Sequence, residues 1–402
     1  MNFLIFINYK NMKTKIILLF FLLNGLSYKA ISQKIQVTLA AGIDTTNNNN
    51  KKEIFKLWEN YLNSYPDSTY NNPYWVEFEK RKYTSFDLIN NAGFLSPSLY
   101  GLSYRGGKNV VLSITPFGQL YQIKSLFYFS YPDKSIYPLA IVNYYAEKEN
   151  GNYKLSNFIS YHTSGWQKRN IGYFNYIFHP NHPFDIYKAN EANEYYMRIS
   201  KLFDVNLDTI DYYIAENCDK IFELQGFDFV VGIGSDNNLC GFYDAKNNII
   251  YSNTIVGEDY RHEITHSILK KFPNSGIFHL GIVTYWGGEN AHFNKPLNYH
   301  IKRVNDYLKK HPEINLNNFI EDFYQLDEFT SPHYVIAAIF CHEAIEKGGI
   351  DKLKKLFSYG NENVDSYKAI EKEFGIKRNS LNNYLRQKIS YFATHGFEVK
   401  FQ

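Results

Sequence analysis

The segment His262-Glu263-Ile264-Thr265-His266 has the pattern His-Glu-x-x-His. On an α-helix the two histidines project from one side one turn apart, so two imidazole nitrogens can reach a single Zn2+ at about 2.0–2.1 Å. Glu263 stands one step around the same turn, where its carboxylate can act as general base toward a metal-activated water without being a ligand. The chemistry this implies is hydrolysis of a polarised carbonyl, with a peptide or protein as substrate.

The helix such a motif requires is legible around it. Tyr260, Ile264 and Ile268 recur at i, i+4 and i+8 and give it an apolar face, and Phe272-Pro273 marks its end because proline cannot continue it. Catalytic zinc normally takes three protein ligands. The longer pattern with a glycine and a third histidine fails, since Leu269 and Phe272 occupy those places.

The stretch from about residue 171 to 392 resembles the gluzincin metallopeptidases of the thermolysin-like superfamily, particularly the bacterial secreted peptidases called peptidase MA-like. The resemblance implies a mostly helical peptidase domain with a small sheet, Zn2+ as cofactor, His262 and His266 as ligands and Glu263 as base. In that family a second helix begins Asn-Glu-Gly-hydrophobic-Ala-x-Tyr, and its Glu is the third ligand. Here the matching segment is His279-Leu280-Gly281-Ile282-Val283-Thr284-Tyr285. Gly281 and Tyr285 match, but Leu280 stands in the place of the Glu, so against the resemblance the candidate third ligands are His279, one residue away, and Glu289, just past Gly287-Gly288, or the site has only two protein ligands. This departure implies an alternative, a catalytically inactive peptidase-like binding protein.

Further on, Tyr334–Cys341 leading into Lys347-Gly348-Gly349 resembles the family's late helix with its glycine break. The resemblance makes Tyr334 and His333 candidate donors to a tetrahedral oxyanion; core packing for Tyr334 and solvent for His333 are the competing reading. His342-Glu343-Ala344-Ile345-Glu346, a second apparent ligand pattern, reads as a solvated helix end.

The rest of the chain must position these groups. It has 402 residues, 45% of them hydrophobic, which suits two domains of ordinary globular composition. Residues 1–32 read as a signal peptide: Lys13 and Lys15 precede the apolar run Ile16–Leu23, and Ala30 and Ser32 suit cleavage after Ser32. The expected location is therefore secreted or periplasmic, and the run is too short for a stable membrane anchor. The formal charge is +3, and without residues 1–32 the balance is 39 basic against 40 acidic residues, which excludes a nucleic-acid-type basic surplus. Of the three cysteines, Cys218 and Cys240 can pair, leaving Cys341 as a small buried thiol in an apolar run.

Residues 33–50 read as a linker. Residues 51–178 are expected to form an α+β domain, in which an amphipathic helix around Ile54–Leu62 covers a curved antiparallel sheet. Its strands are predicted at Val110–Thr115, Tyr121–Ser130, Leu139–Ala146, Tyr153–His162 and Ile171–Phe178, separated by turn signals. This order resembles the nuclear-transport-factor-like cone, with packing or positioning as the expected role. Residues 179–402 form the predicted peptidase domain.

Overall fold

The computed structural model describes residues 34–64, 72–90, 92, 98–231, 241–288, 296–327 and 330–400. The expected signal peptide and Glu289 lie outside the described residues. The chain divides into two compact units: one runs to Ser164 and resumes at Phe222–Asp236, the other comprises Gly165–Ile221 and everything after Asp236. It is an α+β protein, with mixed sheets toward the N-terminus and a largely helical C-terminal region. Among the described residues no helix is long and apolar enough to cross a membrane.

In the first unit, strand β1 (Gln36–Leu39) is followed by helices α1 (Asn49–Leu62), α2 (Glu77–Lys82) and α3 (Leu99–Ser103). Strands β2 (Lys108–Phe117), β3 (Leu120–Ser130), β4 (Ile136–Glu149) and β5 (Asn152–Ser156) then form an antiparallel meander, and α4 (Phe158–His162) closes the segment. Asn48 caps α1 by accepting the Lys51 N–H. The buried face of α1 is Ile54, Leu57, Trp58, Tyr61 and Leu62, the helical stripe expected from the sequence. Trp58 donates its indole N–H to Asn109 Oδ1 on β2 at 3.0 Å.

The first sheet departs from a plain meander. Strand β1 pairs in parallel with β2, so the sheet is mixed rather than purely antiparallel. Residues Phe158–His162, predicted to continue a strand, form helix α4.

The second unit begins with β6 (Gln167–Ile171) and β7 (Phe174–Phe178), then α5 (Ile186–Phe203), β8 (Ile210–Ala215) and α6 (Cys218–Leu224). After α6 the chain returns to the first sheet as β9 (Phe227–Val230), antiparallel to β4. It then re-enters the second unit with β10 (Phe242–Asp244) and β11 (Ile249–Asn253), completing a five-stranded sheet in the order β10-β11-β8-β7-β6. The strand predicted at Ile171–Phe178 thus belongs to this sheet: β7 runs parallel to β8, and β8 parallel to β11. The division therefore falls after Ser164 and not at 178, because the β6–β7 hairpin finds its partner in β8.

Helices α7 (Arg261–Leu269), α8 (Gly276–Gly287), α9 (Leu297–Lys310), α10 (Phe319–Asp322), α11 (Pro332–Leu356), α12 (Asn363–Phe374) and α13 (Leu381–His395) complete the unit. Helix α11 is kinked at Gly348-Gly349, where Gly349 has φ +62°. The core that holds them runs through Tyr196 and Ile199 of α5, Ile264 and Ile268 of α7, Ile282 and Val283 of α8, and Ile336–Cys341 of α11. Two glycines set the spacing around α8. A Cβ on Gly281 would lie 2.7 Å from the Ala337 carbonyl carbon, and one on Gly287 would lie 2.5 Å from His262 Cα. Only glycine allows backbones to approach this closely.

Cys218 is disulfide-bonded, whereas Cys341 is free and fully buried. Cys240, the expected partner of Cys218, lies outside the described residues.

Candidate metal centre

Helix α7 carries the motif as expected, with Tyr260, Ile264 and Ile268 all turned into the core. His262 and His266 are half-buried on its other side, ring centroids 5.0 Å apart. Glu263 is 6% exposed. One candidate ligand atom from each of His262, Glu263 and His266 falls within 4.8 Å of the others, the arrangement of a prospective metal site.

Helix α8 fixes the orientation of both imidazoles. His262 Nδ1 lies 2.9 Å from the Gly288 carbonyl oxygen, which can only accept, so the hydrogen is on Nδ1. His266 Nδ1 lies 2.8 Å from His279 Nε2, with the two rings inclined by 29°. His279 is thus a neighbour of His266 and stands outside the group of converging ligand atoms. Its other nitrogen, Nδ1, is 3.1 Å from Ser275 Oγ, and Ser275 donates its hydroxyl to the Phe272 carbonyl at 2.8 Å.

The electrostatics follow from burial. Desolvation pushes His262 and His279 down to about 4, the Gly288 carbonyl opposing this at His262 and the nearby His262 adding to it at His279. His266 is held well below its usual value by burial, then by His279 and His262. All three rings are therefore neutral at pH 7 and able to offer a lone pair. Burial drives Glu263 up to about 8, against the opposing pull of the Tyr243 backbone N–H and the Tyr260 side chain. A dication beside Glu263 would reverse that direction by favouring the carboxylate.

Leu280 is half-buried against the core and brings no donor atom to the position where the resemblance implies a ligand. Tyr334 and His333 stand together in the first turn of α11, ring centroids 4.1 Å apart. Tyr334 is half-buried against the core, and His333, expected in solvent, is desolvated enough to be pushed down to about 4.

The segment read as a solvated helix end is also packed. Glu343 is 4% exposed and ion-paired to Lys388 at 2.7 Å and Lys347 at 3.0 Å, and His342 Nδ1 lies 3.2 Å from the Tyr285 hydroxyl. Helix α13 supplies the cation that makes this burial tolerable, which a local reading of the sequence misses. Ser275 and Gly288 are the site residues the motif gave no hint of, since Gly288 meets His262 only where α8 lies against α7 and Ser275 reaches His266 only through His279.

The chain matches no protein-family model and no curated protein sequence.

Proposed function

We propose that this protein is a secreted or periplasmic zinc-dependent metallopeptidase, with His262 and His266 as metal ligands and Glu263 as general base. The observation that carries the reading is the tautomer of His262. Its Nδ1–H is committed to the Gly288 carbonyl, so the neutral ring keeps a bare Nε2 available as a ligand atom, and a ligand atom of His262 lies within 4.8 Å of those of Glu263 and His266.

When bound, zinc supplies Lewis acidity toward a scissile carbonyl and lowers the pKa of water. Glu263 takes the proton from the attacking water onto its carboxylate and delivers it to the leaving amine. The Tyr243 N–H and Tyr260 side chain favour the ionised form that this task requires.

The arrangement of the second unit supports the gluzincin likeness in outline: a strand, the motif helix α7, the glycine-bearing helix α8 and the kinked helix α11 follow in the expected order. The disulfide at Cys218 agrees with an oxidising compartment. In the first unit Trp58, Tyr61, Tyr100 and Tyr144 are at most 1% exposed and pack against one another, which favours a packing role over an open cone-like ligand pocket.

Leu280 supports a second reading, a peptidase-like binding protein without turnover, because it offers no third donor. Elemental analysis of purified protein tests the metal part of the proposal. Near one zinc per chain is expected in the wild type and in Glu263→Gln, with loss in His262→Ala. Equal zinc content in His262→Ala and wild type would reject it.

A further inference from the structure

The contacts behind His266 form a directed chain. Ser275 is 2% exposed and its hydroxyl hydrogen is committed to the Phe272 carbonyl, an atom that can only accept. Toward His279 the Ser275 oxygen must therefore act as acceptor, which puts a hydrogen on His279 Nδ1. A neutral His279 then has a bare Nε2. That nitrogen accepts from His266, so the hydrogen of His266 is on Nδ1 and its Nε2 carries the free lone pair. Free neutral imidazole side chains carry no such constraint, and a hydrogen on Nε2 would block ligation there.

We propose that Ser275 and His279 act as positioning residues that lock His266 in the Nδ1–H tautomer and keep its Nε2 ready for a metal ion. His279 thus supports a ligand and is not the third ligand. The same helix performs the matching task for His262 through the Gly288 carbonyl, so α8 orients both imidazoles, at one end through a backbone oxygen and at the other through a side-chain relay. Placing the relay on the first turn of α8, with Ser275 and His279 four residues apart, lets one helical turn carry both members. The functional consequence rests on the metallopeptidase reading; the tautomer does not.

The test uses the full-length protein labelled with 15N-histidine, stripped of metal, and read by two-bond 15N–1H correlation spectroscopy. His266 is expected with its hydrogen on Nδ1. Finding it on Nε2 in the wild type overturns the proposal without recourse to any variant. In His279→Phe, which keeps a ring but removes the acceptor, His266 should lose its tautomer preference, and zinc affinity by chelator competition should fall about 10- to 100-fold. His279→Gln, whose amide oxygen can accept in place of Nε2, should restore most of that loss.

If His279→Phe fails to fold, Ser275→Ala gives the same sign of change with a smaller, several-fold loss. Unchanged tautomer and zinc affinity in a folded His279→Phe refutes the relay while leaving the peptidase reading intact. An Nδ1–H His266 in a protein that takes up no zinc refutes the peptidase reading while leaving the relay standing. A loss in His279→Gln as large as in His266→Ala would make His279 a ligand and also overturns the proposal.

Discussion

The backbone of His262 lies against Gly287 so closely that a Cβ on Gly287 would come within 2.5 Å of both His262 N and Cα. The first ligand of the candidate site therefore depends on the absence of a side chain one helix away. Gly287→Ala should force α7 and α8 apart and move the Gly288 carbonyl from His262 Nδ1. A stability loss of about 1–3 kcal/mol by urea denaturation is expected from overpacking of this kind. Zinc affinity should fall at least about tenfold, the usual scale for disturbing a ligand's hydrogen-bond partner.

Glu263 should cost metal-free protein stability. Its carboxyl is pushed up to about 8 by burial, so the folded chain holds this proton more tightly than the unfolded chain, whose carboxyl has a model value of 4.5. Stability from this group is present below about 4.5 and is lost as pH rises toward about 8. In chelator-treated protein, Glu263→Gln should therefore be more stable than wild type by several kcal/mol, on the order of 1.4 per pKa unit, at pH 8. The difference should shrink toward pH 4.5; urea titrations across that range measure it. A gap that does not vary with pH would contradict the account.

Position 280 gives a gain-of-function prediction. Leu280 sits next to His279 on α8 and contributes no donor. If the site has only two protein ligands, Leu280→Glu should add a carboxylate to the His262–His266 pair and raise zinc affinity at least about tenfold by completing a three-ligand set. Chelator competition reads this directly. An unchanged affinity would show that another residue already fills that role, and zinc release from Glu289→Ala would identify it.

In the first unit, Asp87 is buried and accepts the hydroxyls of Tyr61 at 2.5 Å and Tyr144 at 2.8 Å, while Tyr100 and Tyr144 share a hydrogen bond at 2.7 Å. Asp87→Leu removes the acceptor of two buried phenol hydroxyls and leaves Tyr144 only its bond with Tyr100. The expected cost is about 2–5 kcal/mol, read from the denaturation midpoint by the fluorescence of buried Trp58 and Trp75. Asp87→Asn, which can still accept, should cost less than half as much.

Local patterns revealed the α1 stripe, the strands β2 to β4 and the motif helix, because each is written in apolar spacing along one segment. Sheet membership was not legible. The turn signals around residues 163–173 are the same whether β7 pairs with β5 or with β8, and β9, four residues long with only its end residues buried, shows no alternation to mark it as a strand. At the candidate site, the convergence of His262, Glu263 and His266 was readable from spacing alone. The contact of His279 with His266 was not, since it depends on where α8 lies against α7, and the burial of Glu343 depends on Lys388 from a helix 45 residues later.

The central claim is that Glu263 works as the base of a zinc peptidase. Its most direct test is hydrolysis of a broad quenched-fluorescent peptide library by zinc-loaded wild type and Glu263→Gln at equal metal occupancy. The account predicts cleavage by the wild type and a loss of at least about a hundredfold in Glu263→Gln, since only the base is removed. Equal turnover in the two proteins, or none in a fully zinc-loaded wild type, would contradict it.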